Sequence, residues 1–315
     1  MSTIFDKSLC STTGANTGFD NCGLDMQAVC GMFILQPGYA FSGADIATEA
    51  AFLAAIKRQS IASVGRLYPL TDLVVSNDGT EASVVITYNN GAKRKVRNGA
   101  FDQTFDLLKG GKCLISRLSD GFDGKDWDVL MYDATGQMLY TKNPDGSLSG
   151  LSLNLFDVLT SKQNDGSKPT QNAIHLNADG GKFTATQIYK FDGGLGAILA
   201  IKGLMNVALA GTRITNVGTI TGKIGCGKTD LAATFGVALD VAGAWIVKDG
   251  VTGNGLTITS VAANTNVGGY DITLDTSDPD YVAGHSQIYS LNTPTVLAGL
   301  GTPIPGVESN SITIA

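Results

Sequence analysis

The stretch Ala82-Ser83-Val84-Val85-Ile86-Thr87-Tyr88-Asn89-Asn90-Gly91-Ala92-Lys93-Arg94-Lys95-Val96-Arg97 decides the fold class. Val, Ile, Thr and Tyr crowd its first half, and β-branched and aromatic side chains suit a pleated strand. Asn90-Gly91 accepts the positive φ of a tight turn. Ala82–Tyr88 and Ala92–Arg97 are therefore predicted as paired antiparallel strands. With a strand's two-residue period, Lys93, Lys95 and Arg97 share one face and Arg94 takes the other. Two readings of that basic face stand side by side: contact with nucleic acid or an acidic neighbour, and an edge strand protected by charge.

The same punctuation continues outward. Lys112–Leu118, Trp127–Tyr132, Gln137–Thr141, Leu151–Leu159, Asn172–Leu176 and Phe183–Lys190 read as strands, with Asp133-Ala134-Thr135-Gly136 and Asn143-Pro144-Asp145-Gly146 as turns. One amphipathic helix is expected over Ile46–Gln59. Asp45 would cap it, Ile46, Phe52, Leu53 and Ile56 recur at helical spacing, and Lys57 and Arg58 suit its end. Leu195–Met205 is apolar but interrupted by Lys202 and shorter than the ~20 residues of a membrane span, so a buried strand or core helix is expected there. Further on, Asn206–Ala210, Ile214–Thr221, Ala232–Leu239, Ala244–Lys248, Leu256–Ala262, Tyr270–Leu274 and Gln287–Leu291 are short strands at the spacing of an all-β sandwich. Asp192-Gly193-Gly194 allows a hinge. The expectation is a mainly β chain: an α+β domain of sandwich or barrel type over residues 1–192, and a β-sandwich over 193–315.

Composition narrows the function classes. Of 315 residues, 16% are charged and 40 are Gly, against ~25% charged and ~7% Gly in ordinary soluble domains. With 43% apolar residues the chain is no disordered tail. Such a chain suits a protein whose surface is largely covered by partners. Residues 229–315 hold one basic residue, Lys248, and eight acidic ones, so they carry the negative excess of the chain, whose net charge is −6. An acidic surface repels nucleic acid phosphates. Cys10, Cys22, Cys30, Cys113 and Cys226 include no Cys-x-x-Cys pair, so no zinc site is expected. Buried thiols are expected ahead of a bridge among the first three. Met1–Lys7 lacks the start of a signal peptide, so a cytoplasm-like compartment is expected.

Chemistry-bearing motifs are few. Gly222-Lys223-Ile224-Gly225-Cys226-Gly227-Lys228-Thr229 fits GxxxxGK[ST], in which backbone amides of Gly222 to Gly227 would cradle phosphates, Lys228 would reach their oxygens and Thr229 would bind Mg²⁺. That mechanism needs a buried parallel strand before the loop and a long helix after it. Arg213–Ile220 is polar and alternating, and Thr234, Phe235, Gly236 and Val237 are weak helix formers. The match is read as incidental, a Gly-rich turn, and no cofactor is expected. Asp120, Asp123, Asp126 and Asp128 could hold Ca²⁺, but their spacing fits no calcium loop; a solvated hairpin loop is expected and no metal. They also lack the aromatic platform of a glycosidase pair. His175 and His285 are too isolated for a Ser-His-Asp arrangement, so no catalytic residue is nominated and a core or turn role is expected for both. The inter-subunit contact candidates are Lys93, Lys95 and Arg97.

Gln36-Pro37-Gly38-Tyr39, the helix after it, and Trp127-Asp128-Val129-Leu130-Met131-Tyr132-Asp133-Ala134-Thr135-Gly136 together resemble structural proteins of tailed-bacteriophage virions. Most similar are tail tube (major tail) subunits with an appended immunoglobulin-like domain. Trp245-Ile246-Val247-Lys248-Asp249-Gly250-Val251-Thr252-Gly253 followed by Leu256–Val261 looks like bacterial and phage immunoglobulin-like modules. The resemblance implies a non-enzymatic virion subunit that self-assembles into homo-oligomeric rings or a tube, beside other virion proteins. DNA would pass without specific binding, no membrane would be involved, and assembly would take place in the host bacterial cytoplasm. Hairpins of neighbouring subunits would pair into a continuous barrel, the Ile46–Gln59 helix would pack outside the sheet, and Gly79–Glu81 and the first 30 residues would order on contact with the next ring. Tube subunits often stop after the barrel, so the second domain would project outwards. A capsid decoration or head-fibre role is the alternative, ahead of a P-loop nucleotide hydrolase and a surface adhesin.

Overall fold

The computed structural model describes residues 26–62, 64–159, 171–201, 203–225, 229–302 and 306–315. The chain is mainly β, of the sandwich and barrel class. It divides into two compact units, Met1–Ile201 and Lys202–Ala315.

The strands of the first unit begin with β1 (Val29–Leu35), β2 (Ala40–Phe41), β3 (Tyr68–Thr71), β4 (Leu73–Asp78), β5 (Val84–Thr87), β6 (Lys93–Arg97) and β7 (Phe101–Leu107). There follow β8 (Asp128–Asp133), β9 (Gln137–Lys142), β10 (Leu148–Ser149), β11 (Leu151–Ser152), β12 (Leu155–Val158), β13 (Ala173–Ala178) and β14 (Thr186–Lys190). Its helices are α1 (Glu49–Ser60), α2 (Gly111–Phe122), α3 (Gly180–Thr184) and α4 (Gly194–Leu199). One sheet runs β2-β10-β9-β8-β1-β3, with β11 joined to β8 and β14 to β9; a second runs β12-β13-β7-β4. The pair β5–β6 is a separate ribbon.

The first sheet is covered on both faces. Met32 and Ile34 of β1, with Val129 and Met131 of β8, meet Phe105, Phe156, Ile174 and α2. The alternate residues Phe33, Leu35, Leu130 and Tyr132 meet Phe52 and Ile56 of α1 and Ile198 of α4. Burial on both sides explains why β1 is an apolar run with no polar alternation. Gly31 is required at its middle because a Cβ there would collide with the buried Tyr132 ring. The division between units falls beyond the hinge expected at Asp192-Gly193-Gly194, because Ile198 and Ile201 belong to this core.

Four expectations are corrected. The helix begins at Glu49, not Ile46, and Thr48 caps it by accepting from Ala51 N–H at 3.1 Å. Asp45 instead closes a turn with Ser42 and pairs with Arg58 at 2.9 Å. Lys112–Leu118 is helical within α2, whose buried Ile115, Leu118 and Phe122 follow helical spacing. Phe183–Lys190 starts in α3 and becomes strand only at Thr186.

The second unit contains β15 (Met205–Ile214), β16 (Val217–Ile224), β17 (Thr229–Asp230), β18 (Trp245–Asp249), β19 (Ile258–Asn264), β20 (Gly269–Leu274), β21 (Gln287–Leu291), β22 (Val307–Ser309) and β23 (Ile312–Ile314), with helices α5 (Leu231–Phe235) and α6 (Pro294–Ala298). The order β19-β20-β16-β15-β22, with β17 on β16, faces a sheet β18-β21-β23. Val207, Leu209, Ile220 and Ile272 pack against Trp245, Val247, Tyr289 and Leu291 to form the sandwich core. Gly218 is required beneath Tyr289, since a Cβ would lie 2.6 Å from the ring. The expected strand Ala232–Leu239 is instead α5 and a 3-10 turn, with Leu231 and Leu239 buried and Gly236 at φ 47° between them. No helix among the described residues is long and apolar enough to cross a membrane.

Candidate functional site

The β5–β6 ribbon continues the β4–β7 pair beyond the sheet. After Asp78↔Gln103, Gly79 N–H donates to the Asp102 carbonyl at 2.9 Å and Glu81 N–H to the Ala100 carbonyl at 3.0 Å. The ladder resumes at Val84 and closes at Tyr88, whose N–H donates to the Ala92 carbonyl at 2.8 Å, with Gly91 at φ 79° in the turn. Residues 79–89 at about 3.3 Å each reach up to roughly 30 Å past the sheet. Every residue of β5 and β6 is exposed, including Ile86 at 49% and Val96 at 56%. A two-stranded ribbon is at best marginally stable alone in water.

Its faces differ from the expected arrangement. Val85 stands opposite Lys95 and Thr87 opposite Lys93, but a bulge at Val96 puts Arg97 opposite Val84. Lys93 and Lys95 therefore share a face with Val85 and Thr87, while Arg97 joins Arg94, Val84 and Ile86. A two-residue alternation cannot anticipate an inserted residue. Arg97 is held at 3.2 Å by Glu81, and Lys93, Arg94 and Lys95 have no ion-pair partner among the described residues.

The outer face of the second sheet was missed by the sequence reading. Phe101, Phe105 and Leu107 of β7 point into the core, so Asp102, Thr104 and Asp106 face out beside His175 and Asn177 of β13 and Asp157 of β12. The signal was present: Phe-Asp-Gln-Thr-Phe-Asp-Leu alternates. Asp102 accepts from Asn177 Nδ2 at 3.1 Å and lies 3.0 Å from His175 Nε2. Burial alone would raise the Asp102 carboxyl, but these two hydrogen bonds outweigh it and hold it below the ordinary range. Asp106 and Asp157 have no side-chain partner among the described residues. No Lys or Arg lies at an outward position of β7, β12 or β13.

The GxxxxGK[ST] match has hairpin geometry. Gly222 lies in β16 and Thr229 in β17, which pair antiparallel through Ile224↔Thr229 and Lys223↔Asp230; Gly227 and Lys228 lie outside the described residues. Gly222 has a packing reason, because a Cβ would meet Val207 at 2.9 Å and Leu231 at 3.0 Å. The helix that follows, α5, has 5 residues, far short of the helix a phosphate loop rests on.

The acidic run is dispersed. Asp120 is on α2, Asp123 accepts from Val158 N–H at 2.9 Å, and Asp128 is buried in β8, where burial pushes its carboxyl up although Gly38 N–H donates to it at 2.9 Å. No cluster of metal-ligating side chains occurs among the described residues. His285 Nδ1 lies 2.8 Å from Asp249 Oδ2 in the second unit. The thiol expectation fails at Cys113, which is disulfide-bonded; Cys30 is a free thiol that burial pushes up. Cys10, Cys22 and Cys226 lie outside the described residues. A cavity of about 310 Å³ opens between the two sheets of the first unit, lined by Met26, Val29, Phe101, Met131, Leu139 and Phe183. It offers apolar volume and no charged group. The chain matches no family model, no curated protein and no solved structure.

Proposed function

We propose that this chain is a structural subunit of a tailed-bacteriophage virion that self-assembles through its β5–β6 arm, with a tail tube role ahead of a capsid decoration or head-fibre role. The carrying observation is the arm itself: a ribbon exposed on both faces, bearing Val85, Ile86, Tyr88 and Val96 in the open. Such side chains gain little where they stand and gain on burial, at about 25 cal/mol per Å². Exposed ribbon edges also invite pairing with another chain. The low charge fraction and high Gly content fit a protein covered by copies of itself. The antiparallel hairpin at Gly222 and Thr229 weighs against the nucleotide-binding alternative.

Negative-stain electron microscopy of the purified chain over a concentration series tests this reading. Rings or tubes with a central channel are expected. A monodisperse monomer at every concentration would contradict self-assembly and move the assignment to a decoration role on a preformed shell.

A further inference from the structure

We infer that the arm of one copy docks, through its Lys93–Lys95 face, on the acidic outer face of the β12-β13-β7-β4 sheet of a second copy. The inference rests on the self-assembly reading and names the surface the arm meets.

Two sets of unspent charge lie on the same unit. On the arm, Lys93 and Lys95 are exposed and unpaired among the described residues, and they flank Val85 and Thr87. On the sheet, Asp106 and Asp157 have no side-chain partner among the described residues, and Asp102 stands between them and the sheet end. No helix of the described residues covers this face, because α2 packs against the core side through Ile115 and Leu118. The apolar content matches too. Val74, 45% exposed, stands opposite Asp106, while Val85 stands opposite Lys95.

Complementary potentials select such a contact and orient it. Each lysine would meet a carboxylate across a face that excludes part of the water, where an ion pair is screened less than in bulk. Arm and receiving face are different surfaces of one chain, so two copies can exchange arms about a two-fold axis, or each arm can reach a further copy head-to-tail. The head-to-tail arrangement is the one that closes into a ring or grows as a filament, as the self-assembly reading requires. The other arm face is less suited, since Glu81 already holds Arg97.

Charge reversal on each side tests this. The variants are Lys93→Glu with Lys95→Glu, Asp106→Lys with Asp157→Lys, and the chain carrying all four, compared by sedimentation velocity with the unmodified chain. Lys93 and Lys95 are exposed, and Asp106 and Asp157 are half-buried at outward positions of their strands; circular dichroism checks that each variant keeps the fold. Each reversed pair is expected to weaken association at least about tenfold, and the four-fold variant to recover most of the loss, since like charges meet in the first two and opposite charges in the last. If the unmodified chain assembles and the reversed pairs assemble equally well, the docking assignment is overturned while self-assembly stands. Loss in the pairs without recovery in the four-fold variant overturns it too. An unmodified chain that stays monomeric overturns both.

Discussion

Two hairpins in this chain are built from similar strand-forming residues and have opposite fates. β15–β16 pairs over eight registered positions, joins β22 on one side and β20 on the other, and buries Val207, Leu209 and Ile220. β5–β6 pairs over four, pairs with no other strand among the described residues, and has no buried residue. The first alternates large apolar residues with Ala, Thr and Gly, as a half-covered sheet requires. The second places Val and Ile on both faces and crowds Lys and Arg into its return strand. On the proposed reading, a ribbon whose composition serves no core among the described residues is composed for a surface of a second copy.

The widest gap between the hairpins is expected in stability. Ile220→Ala, at a fully buried position of β16, is expected to cost about 2–5 kcal/mol, whereas Ile86→Ala on the arm changes stability by less than about 0.5 kcal/mol. Urea denaturation of the two variants reads the difference directly. Equal losses would mean the arm is packed in solution. Next in size, Gly218→Ala forces a methyl against Tyr289 and is expected to cost about 1–3 kcal/mol; no loss would mean the ring moves aside freely.

Acid sharpens the comparison further. Asp249, at the end of β18, accepts from the N–H groups of Thr252 and Val251, and with His285 these hold its carboxyl down at about 2. An ordinary Asp titrates near ~3.9. Its stabilising contribution is therefore present above about pH 4 and lost as pH falls toward 2. Asp249→Asn is expected to flatten the acid dependence of the second unit in that window, and an unchanged profile would refute the assignment. The smallest effect expected is on the arm: raising salt from 0.1 to 1 M shortens the screening length from ~10 to ~3 Å, so association weakens while β15–β16 stability holds.

Legibility followed the same divide. The β5–β6 turn was readable because Asn90-Gly91 is a local signal, β9 because turn sequences stand on either side of it, and β13 and β20 because they alternate. The strand expected over Ile214–Thr221 is corrected to β16 at Val217–Ile224, because Thr215, at φ 58°, makes the turn from β15 without a glycine to signal it. β1 was not, since an apolar run buried on both faces carries no period. α2 was misread because Cys113-Leu114-Ile115 looks like a strand core until Leu118 and Phe122 are set at helical spacing from Ile115. The basic face of the arm was half legible: Lys93 and Lys95 follow from alternation, while the bulge that moves Arg97 has no local signature. The acidic outer face of the second sheet needed the pairing of β7 with β13, a contact between residues far apart in sequence.

Hydrogen exchange on the arm tests the central claim most directly. The amides of Val84–Thr87 and Lys93–Arg97 are compared at low and high protein concentration, with those of β15–β16 as the internal reference. The arm is expected to exchange rapidly when dilute and to become protected on concentration, while β15–β16 stays protected throughout. Arm amides that exchange equally fast at both concentrations would contradict an arm built for a second copy.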